Sequence, residues 1–161
     1  MNTFYQLLER TSGLMKVLGA TALTAMMLLT VADVVGRFFK HPIFGSVELV
    51  GFLAVIVMAA ALPYTYKMDG HVGVEIVVRM LPKKVRLIIE VLTRLLSLSL
   101  FSIIAWQMFI YAADLKETGE VSMNLEFPVH TIVYVLAAGL AIFSVTILER
   151  LVHTLKALKE S

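Results

Sequence analysis

The sequence predicts an all-α membrane protein with four transmembrane helices and an interfacial amphipathic helix between helices 2 and 3. Three observations predict it. The 161-residue chain is 59 % hydrophobic and 16 % charged, with a mean hydropathy of +0.87, whereas soluble domains are about 45–50 % apolar. Four runs are almost free of Asp, Glu, Lys and Arg, and each approaches the roughly 20 apolar residues that a membrane-crossing helix needs. Between the second and third runs, residues 68–86 read MDGHVGVEIVVRMLPKKVR, a charged stretch with helical spacing. The length suits a single membrane domain, residues 1–161, with no separate soluble part.

The first span, 14–36, has no charge between Lys16 and Asp33. Its apolar run exceeds the roughly 7–15 residues of a signal-peptide core, and no cleavage site ends it, so an uncleaved span is expected. Asp33 and Arg37 stand four apart on one face at its far end. The second span, 47–66, opens at Glu48 and is uncharged from Leu49 onward. Asp33, Arg37 and Glu48 are expected to form a structural ion pair that pins the hairpin, with Arg37 also reaching Glu48 across the turn.

Next comes the interfacial helix, at about 71–81. Glu75, Arg79, Lys83, Arg86, Glu90 and Arg94 are spaced 4, 4, 3, 4 and 4, one stripe on a helix. Val74, Val77, Val78 and Leu81 cover much of the opposite side. Such a helix lies with its apolar face in lipid and its cations among the headgroups; His71, Glu75, Arg79, Lys83 and Arg86 are its expected interfacial residues. Val72, Val74, Ile76, Val78 and Met80 also alternate, but a lone strand in lipid would leave its backbone unpaired. Pro82 tolerates a first-turn position and separates this helix from the third span, 85–113, which is uncharged from Leu95 to Ala113. The fourth span is 127–148. Ala59–Ala61, Ser97, Ser99 and Ser102, and Ala137–Gly139 allow close helix approach, to one another or to another subunit. Trp106, well inside the third span, reads as a packing residue.

Orientation follows from Lys and Arg in the short connections. The N-terminus, the 2–3 connection with Arg94, and the C-terminus carry eleven; Arg37, Lys40 and Lys116 make three on the other side. Both termini are therefore expected in the cytoplasm, with the 1–2 and 3–4 connections outside. The 3–4 connection and its borders carry Asp114, Glu117, Glu120 and Glu126 against Lys116, a net −3. This acidity is either a by-product of the positive-inside bias or a landing surface for a partner.

Chemistry is mostly excluded. The absence of cysteine rules out disulfides, thiolate metal sites and cysteine nucleophiles. No acid, Lys or Arg occupies the middle of a span, where ionisable groups mark ion or substrate pathways. No phosphate loop or nucleophile elbow is present, and no zinc-ligand spacing. A membrane haem needs axial ligands on facing helices, and His41 lies in a turn beside Pro42, away from any such helix face. A net charge of +2 does not suggest nucleic acid. Neither catalytic residues nor metal ligands nor an enzyme activity are expected.

Arg37-Phe38-Phe39, His41-Pro42-Ile43-Phe44-Gly45-Ser46, Glu48-Leu49, an apolar run, and Gly70-His71-Val72-Gly73-Val74-Glu75 follow in that order. Together they resemble the small, DctQ-like membrane subunit of tripartite ATP-independent periplasmic (TRAP) transporters. Gly119-Glu120-Val121-Ser122, Pro128 and Gly139 extend the resemblance over nearly the whole chain. Glu75 stands where Asp is common, and Met58-Ala59-Ala60 where a Leu-Gly pair is frequent.

The resemblance implies a place in sodium-driven uptake of organic acids across the bacterial inner membrane. A periplasmic substrate-binding protein would deliver the substrate, and a large transmembrane subunit would hold the substrate and sodium sites. This chain would carry no cofactor, stabilise the large subunit among membrane lipids and help dock the binding protein, with Glu117, Glu120 and Glu126 as candidate docking residues. The alternatives are a membrane-anchor or cytochrome-type subunit of a respiratory complex and a structural assembly factor. A four-helix multidrug exporter would need a membrane-embedded acid in its first helix, and none lies between Lys16 and Asp33.

Overall fold

A computed structural model describes residues 2–67 and 82–159, and the side chains from residue 13 onward except at positions 83 and 157. The described residues form four helices, α1 (Asn2–Phe38), α2 (Ser46–Lys67), α3 (Lys83–Thr118) and α4 (Val129–Lys159). All four are long and apolar enough to cross a membrane, over Gly13–Phe38, Ser46–Lys67, Lys84–Thr118 and Val129–Lys156. Among the described residues the fold is all-α, with one isolated bridge between Val121 and Pro128. The predicted interfacial helix, with His71, Glu75 and Arg79, lies outside the described residues. Arg86, assigned to the same stripe, belongs to α3, where its Nε donates to Glu90 Oε1 at 3.0 Å.

Neighbours in sequence are not always neighbours in space. α1 packs on α2, α2 on α4, and α4 on α3. The helices thus form a row in the order α1, α2, α4, α3, with the two middle helices carrying most of the core. Ile147 of α4 and Pro63 of α2 are the largest fully enclosed side chains.

Small residues set the α2 contacts. Ala59 and Ala60 are buried. A Cβ added at Gly19 of α1 would meet Ala60 Cβ at 3.4 Å, an ordinary contact. At Gly139 of α4 it would lie 2.6 Å from Ala59 Cβ and 2.9 Å from the Ala59 carbonyl oxygen, which no side chain tolerates. Pro63 has no N–H to offer that carbonyl four residues back, so the crossing forms where α2 has a freed backbone acceptor. The alanines of the second span and the small residues of the fourth therefore meet each other. Within this chain Trp106 is 68 % exposed, because α3 turns only one face to α4 and the tryptophan stands on another.

At the end away from the chain termini, the 39–45 and 119–128 connections lie together. At the opposite end Arg94 crosses from α3 to α4. Its Nη1 donates to the Arg150 carbonyl at 2.8 Å and to Thr154 Oγ1, and its Nη2 reaches Glu90 Oε2 at 3.5 Å. Arg150 in turn donates to the Lys67 carbonyl at the end of α2. Three helix ends are thereby tied through two guanidinium groups.

Candidate functional site

The polar features of the loop end begin with how α1 stops. Lys40 adopts φ 60°, the left-handed conformation that closes many helices. The His41 amide donates to the Gly36 carbonyl at 2.7 Å, and the Lys40 amide to the Arg37 carbonyl at 3.1 Å, the paired bonds of a Schellman motif. The chain then turns back toward α2. Asp33, one turn inside α1 and only 8 % exposed, secures that turn. Its Oδ2 accepts from Arg37 Nε at 2.8 Å and its Oδ1 from the Ile43 amide at 2.9 Å. Buried Ser46 lies beside the same carboxylate, in a small cavity that Thr30, Val47 and Val50 complete. One carboxylate thus joins the last turn of α1, the connection and the first turn of α2.

Glu48 performs the equivalent task for the other connection. From the first turn of α2, where an acid complements the helix dipole, its Oε1 accepts from the Asn124 amide at 2.8 Å and from Asn124 Nδ2 at 2.7 Å. Its Oε2 accepts from the Leu125 amide at 3.1 Å. This corrects the expected reach of Arg37 to Glu48. Both carboxylate oxygens of Glu48 are engaged by the 3–4 connection, and Arg37 is turned toward Asp33. The ion pairs among the described residues are Arg37–Asp33, Arg86–Glu90 and Arg94–Glu90.

The 3–4 connection is itself a tied loop. The Ser122 amide donates to the Phe127 carbonyl at 2.9 Å, the Val129 amide to Glu120 O at 3.2 Å, and the Phe127 amide to Ser122 Oγ at 3.2 Å. Leu125 drops over Gly45, which has φ 70°. A Cβ there would sit 2.6 Å from the leucine side chain, so both the backbone angle and the contact call for glycine. Met123 at the tip is 96 % exposed.

The predicted docking residues Glu117, Glu120 and Glu126 are all exposed. Glu117 stands in the last turn of α3, Glu120 just beyond it, and Glu126 in the loop at φ 51°. They share the loop end with the Asp33 and Glu48 anchors but bond to neither. Asn124, Leu125 and Ile43 were not identified from sequence. All three donate backbone amides, which every residue but proline has, and the added side-chain bond of Asn124 comes from a lone loop Asn that is no more specific.

Among the described residues the Asp33 and Glu48 carboxylates are held by hydrogen bonds, while Glu117, Glu120 and Glu126 stand exposed and apart from them. A family model described as "Tripartite ATP-independent periplasmic transporters, DctQ component" matches residues 26–157. No curated protein matches the chain.

Proposed function

The chain belongs to the DctQ component family of TRAP transporters, and we propose that within such a transporter it steadies the large transmembrane subunit and offers the periplasmic binding protein a landing surface. The chain is the small component of the system and a multi-pass membrane protein. In this reading it sits in the bacterial inner membrane with both termini cytoplasmic, and the loop end faces the periplasm. Transport is sodium-driven uptake of an organic acid. Substrate and sodium are held by the large subunit, because no acid, Lys or Arg lies near the middle of any span here.

The observation that carries the docking role is the Glu48 anchor, which fixes the acidic 3–4 connection to the first hairpin. A surface held in place costs a partner less ordering on association. Support for the scaffold role comes from α3, whose Ile88, Leu92, Leu96, Ile103 and Trp106 are exposed at helical spacing. Exposed charges govern encounter more than final affinity and are screened over about 8 Å at physiological salt. Reversing Glu117 and Glu120 to lysine is therefore expected to slow reconstituted uptake when binding protein is limiting, with the deficit shrinking at saturation and at high salt. Unchanged uptake across that titration would reduce the acidic loop to a solvated surface.

A further inference from the structure

Met123, in the turn of the 3–4 connection, is 96 % exposed, the highest value among the described large apolar residues. A single apolar residue on a surface is ordinary, but this one has an unusual setting. The backbone is held on both sides of it. The Ser122 amide donates to the Phe127 carbonyl at 2.9 Å, and the Asn124 and Leu125 amides donate to the Glu48 carboxylate at 2.8 and 3.1 Å. Asn124 Nδ2 adds a third bond to that carboxylate at 2.7 Å. None of these bonds uses the methionine, so closure of the loop does not account for a thioether in water. A partner that covers Met123 orders one side chain and no backbone, which lowers the cost of association. Methionine is enriched at protein interfaces, and its unbranched side chain adapts to the shape of an apolar recess.

The surroundings select a soluble protein over lipid. α3 continues five residues past Ala113, the last of its uncharged run, and this stretch holds Asp114, Lys116 and Glu117. At 1.5 Å per residue the helix rises about 8 Å beyond that run before the loop begins. Charged side chains of this kind are costly in hydrocarbon, so the loop stands outside it. Glu120 and Glu126 lie three residues before and after Met123, and both are exposed. The Val121–Pro128 bridge closes the base of the loop near both acids. Lipid phosphates meet repulsion there, whereas a protein recess bordered by Lys or Arg is complementary. A membrane-embedded neighbour has the apolar side of α3, from Ile88 to Trp106, along which to pack, and Met123 lies beyond the helix ends.

We propose that Met123 is the apolar centre of the landing surface and inserts into an apolar recess, rimmed by Lys or Arg, on the periplasmic binding protein. The inference rests on the proposed docking role and names the contact that supplies affinity once the acids have steered the encounter.

The test uses the intact transporter complex, reconstituted in vesicles and titrated with its purified, substrate-loaded binding protein. Met123→Gln, neutral and of similar length, is expected to raise the binding-protein concentration for half-maximal uptake about tenfold, with the maximal rate unchanged. The shift should persist at high salt, because an apolar contact is not screened, whereas the deficit from reversing Glu117 and Glu120 shrinks. Met123→Leu, which keeps an apolar side chain, should match the wild type. A photoreactive residue at position 123 of the otherwise unaltered complex should crosslink to the binding protein, whether or not the glutamine variant folds. An unchanged half-maximal concentration in Met123→Gln, with the Glu117 and Glu120 effect intact, would overturn the apolar centre and leave the acidic landing surface standing. If neither set of changes matters, both fall. Crosslinks from position 123 to lipid or to the large subunit alone would also overturn the proposal.

Discussion

Glu48 turns one side chain into the joint between two connections, and its partner distinguishes it from Asp33. Asp33 and Arg37 are a local i, i+4 pair, legible in sequence because helical spacing alone brings them together. Glu48 bonds to residues 76 and 77 positions away, and two of its three donors are main-chain amides without any sequence signature. The double-mutant behaviour follows. Glu48→Ala leaves the Asn124 and Leu125 amides without their acceptor, so it is expected to lower the thermal midpoint of the purified subunit more than Arg37→Ala, which removes an exposed guanidinium. Glu48→Ala and Asn124→Ala should be non-additive, because they delete two ends of one bond, whereas Glu48→Ala and Arg37→Ala should add. Strong coupling between Arg37 and Glu48 in that thermal series would restore the pairing first expected from sequence.

Among the elements, the α2–α4 crossing has the least slack. The small residues on both helices were legible, because Ala and Gly stand out in an apolar run. That Ala59 faces Gly139 was not, since a small residue contacting lipid, a neighbouring helix or another subunit looks the same in sequence. Gly139→Ala forces a Cβ against the Ala59 side chain and backbone. Overpacking of this kind typically costs about 1–3 kcal/mol, read as a lower denaturation midpoint in detergent. Adding Ala59→Gly removes the Cβ clash and leaves the contact with the Ala59 carbonyl, so it should restore only part of the loss. Full rescue would show that the backbone contact is unimportant; no rescue would show that the strain lies elsewhere.

For the whole molecule, hydropathy sufficed to find the four membrane-crossing helices of the described residues, because each charge left in lipid is costly enough to mark a boundary. The spatial order α1, α2, α4, α3 was hidden, because lipid tails are as apolar as leucine and impose no distinct pattern on a lipid-facing side. The eleven-to-three bias of Lys and Arg gives a further whole-chain expectation. Single cysteines placed at Ser122 and Ser161 should label from opposite sides of intact cells, and labelling of both from outside would refute the orientation.

The row of helices has one more consequence. Each half of the chain folds back on itself, α1 with α2 and α3 with α4. The halves then meet through α2 and α4, at the Ala59–Gly139 crossing, the Glu48 anchor and the bond from Arg150 to the Lys67 carbonyl. The residues that make these joints are all described ones, on either side of the link from Lys67 to Pro82. The protein therefore behaves as two hairpins held in register by side contacts, and severing the link should leave a noncovalent pair. Residues 1–75 and 76–161 made as separate polypeptides in one cell are expected to co-purify and to support uptake with the large subunit. Gly139→Leu in the second fragment should abolish the pairing. Fragments that never associate would mean that the covalent link, and not the crossing, keeps the hairpins together.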